Sequence, residues 1–200
     1  MRRQSGIRAK VGVALAVACA AAALGACGSD EGSSVDPGNA ADAPSFDEAL
    51  KAAPPKLAAL YAEGSELIEG GEAAYEETLD SVEGYPVVVN EWGSWCGPCR
   101  EEFPHFQSQA AQHLDEVAFL GVDTEDNPDA YATFLEEHPI PYPSVADPDG
   151  EFSDWAGVAL IGQPNTLFYD RDGELVFTHQ GPYTDEAALA ADVEKYALSS

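Results

Sequence analysis

Two cysteines two residues apart, Cys96 and Cys99, are the side chains of this sequence best suited to chemistry. Such a pair can open and close a small disulfide, help to hold a soft metal, or be two unrelated thiols. Its surroundings bear on the choice. Residues 86–92, Pro-Val-Val-Val-Asn-Glu-Trp, form an apolar, β-branched run of strand length, and Gly93-Ser94 breaks the chain after it. From Gly97 onward, Phe103, Phe106, Ala110 and Leu114 recur at helical spacing. The pair therefore stands where a strand hands over to a helix, with Cys96 at the helix N-terminus. There the helix dipole and free backbone N–H groups favour a thiolate, and the pKa of such a thiol can drop from about 8.5 to about 3.5–7.5. Cys96 is then the nucleophile, and Cys99, deeper in the helix, resolves the mixed disulfide. Pro98 falls in the first helical turn, where a backbone N–H is not needed.

Zinc would want four ligands. No second Cys-X-X-Cys or His-X-His group supplies them, and His105, His113, His138 and His179 show no ligand grouping, so no metal is expected. Covalent haem attachment needs His directly after the second cysteine, where Arg100 stands. A permanently closed structural disulfide is the remaining alternative, since exported chains carry them.

The chain opens with an address. Arg2, Arg3, Arg8 and Lys10 precede an alanine-rich apolar stretch, residues 11–24, that is shorter than the roughly 20 residues a spanning helix needs. Residues 1–26 read as a signal peptide. Leu24-Gly25-Ala26-Cys27 resembles a bacterial lipobox, which would place lipid on Cys27 and hold the protein to the outer face of the cell membrane. An ordinary small-residue cleavage site is the alternative. Residues 27–45 are rich in Gly, Ser, Asp and Pro and read as a flexible tether. With Cys19 in the discarded segment and Cys27 lipidated, Cys96 and Cys99 are the thiols left, so the fold must rest on its core.

The net charge is −27, with all 36 acidic residues after Cys27. Such a surface repels phosphate, so nucleic acid is excluded as a partner, and it gives no support for binding an anionic leaflet through charge. Solubility, or a salty exterior, accounts for the charge; a cationic partner is the other reading.

The remaining elements must position the pair. Residues 46–83 read as an N-terminal helical extension. Pro54-Pro55 opens one helix, whose stripe Leu57, Leu60, Tyr61, Gly64, Leu67 and Ile68 runs to Gly70-Gly71; a second spans 72–82, with Tyr75, Leu79 and Val82 inward. Residues 84–200 form the main domain. Residues 117–123 are a second buried strand, parallel to the first. A helix over 127–138 is stopped by Pro139 and Pro141, and 142–146 is a short strand. Residues 166–170 and 174–180 alternate around Asp172-Gly173 as an antiparallel hairpin, and Thr184 caps a last helix bearing Leu189, Val193 and Tyr196. The fold class is α/β, a mixed central sheet with helices on both faces.

Trp95-Cys96-Gly97-Pro98-Cys99 after an apolar strand resembles the active site of thioredoxin. The longer stretch 87–104, through Arg100-Glu101-Glu102-Phe103-Pro104, and the loop Gly162-Gln163-Pro164-Asn165-Thr166 resemble the TlpA/ResA group of exported, membrane-tethered thiol–disulfide oxidoreductases, with a match over residues 85–198. The resemblance implies a thioredoxin fold. It assigns Trp95, Gly97, Pro98, Gln163 and Pro164 to substrate binding, with Pro164 as a cis-proline facing the cysteines. Gln163 replaces the small or β-branched residue common before that proline. Asn90 stands where thioredoxin has a proton-shuttling aspartate, and the group's pattern offers Glu102 as its substitute; a solvated helix carboxylate like Glu101 is the alternative.

The implied activity is reduction of disulfides in exported proteins through the Cys96–Cys99 dithiol, with apocytochrome c as a candidate substrate and an integral-membrane electron partner. It needs no cofactor beyond the pair. A disulfide oxidase of exported proteins and a non-catalytic thioredoxin-like binding module are the rival functions. A peroxiredoxin is disfavoured, because no Pro-X-X-X-Thr-X-X-Cys motif surrounds the cysteine. Glu91 breaks the apolar run where related sequences carry phenylalanine. It either reaches solvent or a polar partner at a gap in the sheet's cover, or is buried, protonated and hydrogen-bonded to a partner outside its own strand. Tyr61 and Tyr75 are the candidate donors, and a role in stability rather than redox chemistry is expected.

Overall fold

A computed structural model describes residues 46–199. The expected signal peptide, the candidate lipid-bearing Cys27 and the expected tether all fall outside the described residues.

Strand β1 (Leu67–Ile68), β2 (Val87–Trp92), β3 (Ala118–Thr124), β4 (Ser144–Asp147), β5 (Asn165–Tyr169) and β6 (Leu175–Gln180) form one sheet in the order β1-β4-β3-β2-β5-β6. β2 lies at its centre, parallel to β3 and antiparallel to β5. Every residue of β2, β3, β4 and β5 is buried, as expected for strands covered on both faces. Helices α1 (Phe46–Ala52), α2 (Pro55–Ala62) and α3 (Glu72–Ser81) precede β2, and α4 (Gly97–Gln112) and α5 (Pro128–Glu137) follow β2 and β3. A single turn, α6 (Phe152–Trp155), precedes β5, and α7 (Glu186–Asp192) continues into a π-helical stretch over Val193–Leu198.

Two differences from the sequence reading have physical causes. The first helix does not run to Gly70-Gly71: it ends at Ala62, Gly64 takes a left-handed φ of 56°, and Leu67 and Ile68 become an edge strand parallel to Ser144 and Val145. The segment before the active site thus supplies part of the sheet as well as cover. Leu57, Leu60 and Tyr61 are buried in the common core, and the Tyr61 hydroxyl donates to Val117 O and accepts from Phe119 N. At the other end, Asp185 rather than Thr184 caps α7, its carboxylate accepting from Ala188 N at 3.0 Å. The capping oxygen must reach the N–H three residues on, and Asp185 is the residue at that distance from the helix.

The centre of the core lies under α4. Trp92, fully buried, meets Phe103, Tyr131 and Phe134 at ring-centroid distances of 4.6, 5.6 and 5.4 Å. This aromatic cluster fixes α4 and α5 against the C-terminal ends of β2 and β3, where α/β folds place their sites.

Candidate active site at the start of α4

Cys96 is the N-cap of α4, extended at φ −82° and ψ 107°, and its sulfur accepts from Cys99 N at 3.3 Å. The two sulfurs are joined in a disulfide, so this is the oxidised form. Cys99 is fully buried and Cys96 is 5 % exposed. This asymmetry leaves Cys96 the one an incoming partner can reach. Trp95 stands beside the pair, 53 % exposed, its indole N–H donating to Thr124 O at 3.2 Å. That placement needs glycine at 93, because a Cβ there would meet the indole at 2.6 Å. Ser94 N donates to Asp126 at 2.8 Å, tying the same loop to the end of β3.

Glu102, one helical turn after Cys99, is fully buried rather than solvated. One oxygen accepts from Asn90 Nδ2 at 2.9 Å and the other from Tyr183 N at 3.0 Å. Burial pushes its pKa up to about 7, and these two hydrogen bonds oppose the rise. Asn90 Oδ1 is buried with no hydrogen-bond partner among the described residues.

The Gln163–Pro164 peptide is cis, as the family resemblance implied. The sheet register places it: Asn165 lies opposite Glu91, five residues before Cys96, so the proline loop and the dithiol share one end of the sheet. The structure thus gathers Trp95, Cys96, Gly97, Pro98, Cys99 and Glu102 at the head of α4 and brings Gln163 and Pro164 to the same edge. Among the described residues no group of three or more His, Cys, Asp or Glu side chains is arranged to hold a metal.

Glu91 is 4 % exposed, and burial raises its pKa. Its partners are not the expected tyrosines. Tyr75 donates to the Tyr169 hydroxyl, Tyr61 serves β3, and Glu91 accepts instead from Asn165 Nδ2 at 2.6 Å and Gln163 Nε2 at 3.4 Å. Sequence reasoning missed Asn165, Tyr183 and also Asp123, a 3 % exposed carboxyl that burial, with Asp126 and Asp147 nearby, pushes up to about 8.

The description of a known family, AhpC/TSA, matches residues 67–178, more than half of the chain, beginning at β1. The chain belongs to the AhpC/TSA family. Within that family setting, its relatives carry names from disulfide chemistry. It is 36% identical over 119 residues to the thiol:disulfide interchange protein HelX of Rhodobacter capsulatus, covering 58% of this chain and 64% of HelX. It is 27% identical over 137 residues to the thiol-disulfide oxidoreductase ResA of Bacillus subtilis, covering 64% of this chain and 75% of ResA. The match therefore spans less than two thirds of HelX. A crystal structure from Chlorobium tepidum, described as that of a DsbE-type thiol:disulfide interchange protein, superposes with a TM-score of 0.53 at 29% identity, over 59% of this chain and 84% of the other. The fold is thioredoxin-like, and the ResA-type relatives agree with the TlpA/ResA resemblance of the active-site stretch.

Proposed function

We propose that the protein is a thiol–disulfide oxidoreductase that reduces disulfides of exported proteins. The observation that carries this reading is the cysteine pair at the N-terminus of α4, with Cys96 slightly exposed, Cys99 fully buried, and a carboxyl with a pKa near neutrality one turn away. In the reduced protein the Cys96 thiolate attacks one sulfur of a substrate disulfide. A Cys96–substrate disulfide forms, and the other substrate sulfur leaves as a thiolate that takes up a proton. Glu102 accepts the Cys99 proton, and the Cys99 thiolate attacks Cys96 Sγ. The Cys96–Cys99 disulfide forms and the second substrate thiolate is released. That thiolate takes the Cys99 proton back from Glu102, while the first took its proton from solvent. Two electrons have passed to the substrate, and a dithiol of a partner protein later reduces the pair again.

Asn90 and Tyr183 hold both Glu102 oxygens, so the carboxyl keeps one orientation through the cycle. A group with a pKa of about 7 both takes and gives a proton readily at neutral pH. Trp95, Gly97, Pro98, Gln163 and Pro164 form the edge at which the substrate polypeptide docks. The expected substrates are exported proteins, apocytochrome c among the candidates, and the electron partner is an integral-membrane dithiol protein. In the test, reduced protein is mixed with a polypeptide disulfide and both thiol pools are counted. Loss of the substrate disulfide should match formation of Cys96–Cys99; an unchanged substrate retires the reading.

We place the protein outside the cytoplasmic membrane, anchored by lipid on Cys27 and lifted by the 27–45 tether. No described helix is long and apolar enough to cross a membrane. Cys27→Ala should move the protein from the membrane fraction to the soluble one. Unchanged membrane association without acyl chains would remove the anchor.

A further inference from the structure

Glu91 has no place in the exchange steps above, yet it is one of the buried carboxylates nearest to them in sequence. It projects from the centre of the sheet directly opposite Asn165. One carboxylate oxygen accepts from Asn165 Nδ2 at 2.6 Å and the other from Gln163 Nε2 at 3.4 Å. These are the residues on either side of Pro164. Asn165 Nδ2 also donates to Gly162 O, so one carboxylate, directly or through Asn165, reaches three of the four residues from Gly162 to Asn165.

The rest of the loop is lightly held. Ser153 Oγ bonds Val158 O and Leu160 N, Gln180 Nε2 reaches Ala159 O, and Ile161 is 82 % exposed. Pro164 has no N–H to anchor itself, and its carbonyl accepts from Gly181 N. The backbone N–H and C=O of Gln163 make no hydrogen bond among the described residues. They are the free donor and acceptor that an extended polypeptide can pair with, in the manner of an added strand. The direction of the Gln163 backbone is therefore set from behind, through its side chain and through Asn165, by Glu91.

We propose that Glu91 is a positioning residue for polypeptide substrates: by accepting from the amides flanking Pro164 it fixes the backbone of Gln163 in the register that an incoming polypeptide disulfide meets. This rests on the thiol–disulfide exchange reading. A small disulfide, which pairs with no backbone, does not depend on Glu91. The Glu91→Gln side chain keeps the volume but turns one acceptor into a donor, so it can no longer accept from both amides.

The test follows exchange of the reduced full-length protein with insulin and, separately, with hydroxyethyl disulfide. In Glu91→Gln the half-saturating insulin concentration should rise about tenfold, the loss of a hydrogen bond to a charged group, with the limiting rate held. The hydroxyethyl disulfide rate and the reduction potential should stay as in the wild type. Gln163→Ala lies outside the buried strands, so an unchanged insulin dependence in it overturns the inference even if Glu91→Gln folds poorly. It should raise the insulin concentration similarly, and the double variant should add nothing further. Proportional slowing with both disulfides, or no change with either in Gln163→Ala, overturns the inference. If the wild type passes no electrons to either disulfide, the exchange reading falls and this inference with it; an active wild type beside unaffected variants removes this inference alone.

Discussion

Cys99→Ser protein accumulates mixed disulfides with its partners through Cys96, while Cys96→Ser protein accumulates none, and turnover in both falls by orders of magnitude. The asymmetry follows from burial. Cys96 is the helix cap and the more exposed of the two, so it makes the first bond; Cys99 is fully enclosed and joined to Cys96. Without Cys99, the first bond has no resolving thiol and persists. The trapped species are read by non-reducing electrophoresis and mass spectrometry of membrane extracts. Equal trapping by the two variants would contradict the assignment of the nucleophile.

Glu102→Gln slows resolution of the mixed disulfide by about 10²-fold, the lower end of what a positioned acid–base group contributes. The thiols report it directly: Cys99 in the variant should titrate differently from the wild type, and unchanged thiol pKa values would reduce Glu102 to a structural residue. The same substitution changes stability with a definite sign. The folded-state pKa of Glu102 is raised from 4.5 to about 7, so between those values the folded protein holds a proton that the unfolded chain has lost. Its contribution to stability is complete below pH 4.5 and is lost as pH rises through about 7. The loss is on the order of 3 kcal/mol from the size of the shift. Glu91 and Asp123 are shifted the same way, and the net charge of −27 adds self-repulsion at higher pH. Wild-type thermal midpoints should fall from pH 5 to pH 8, and Glu102→Gln should lessen that fall. A Glu102→Gln protein with the wild-type pH dependence would contradict the buried, raised carboxyl.

Much of this architecture is written in local pattern. The buried run at β2, the helical spacing of Phe103, Phe106, Ala110 and Leu114, and the hairpin around Asp172-Gly173 all appear in the structure because each depends on neighbours a few residues away. β1 was not legible. Leu67 and Ile68 fit the period of the preceding helix, and what makes them a strand is pairing with Ser144 and Val145, far along the chain. The site divides the same way. Cys96, Pro98 and Cys99 are placed by the strand–helix junction, and Glu102 by one turn of helix. The closure over Glu102 comes from Tyr183, and the partners of Glu91 come from beyond Pro164, so no spacing announces them. A carboxylate in a buried strand said only that a donor must exist somewhere.

The measurement closest to the central claim is the reduction potential of the Cys96–Cys99 pair, read by equilibrating the protein across graded thiol–disulfide buffers. An exchange-active reductant should titrate reversibly as a two-electron couple, nearer about −270 mV than the about −120 mV of a strong oxidant. A pair that stays closed below about −300 mV, as structural disulfides do, and exchanges with no polypeptide would contradict the account.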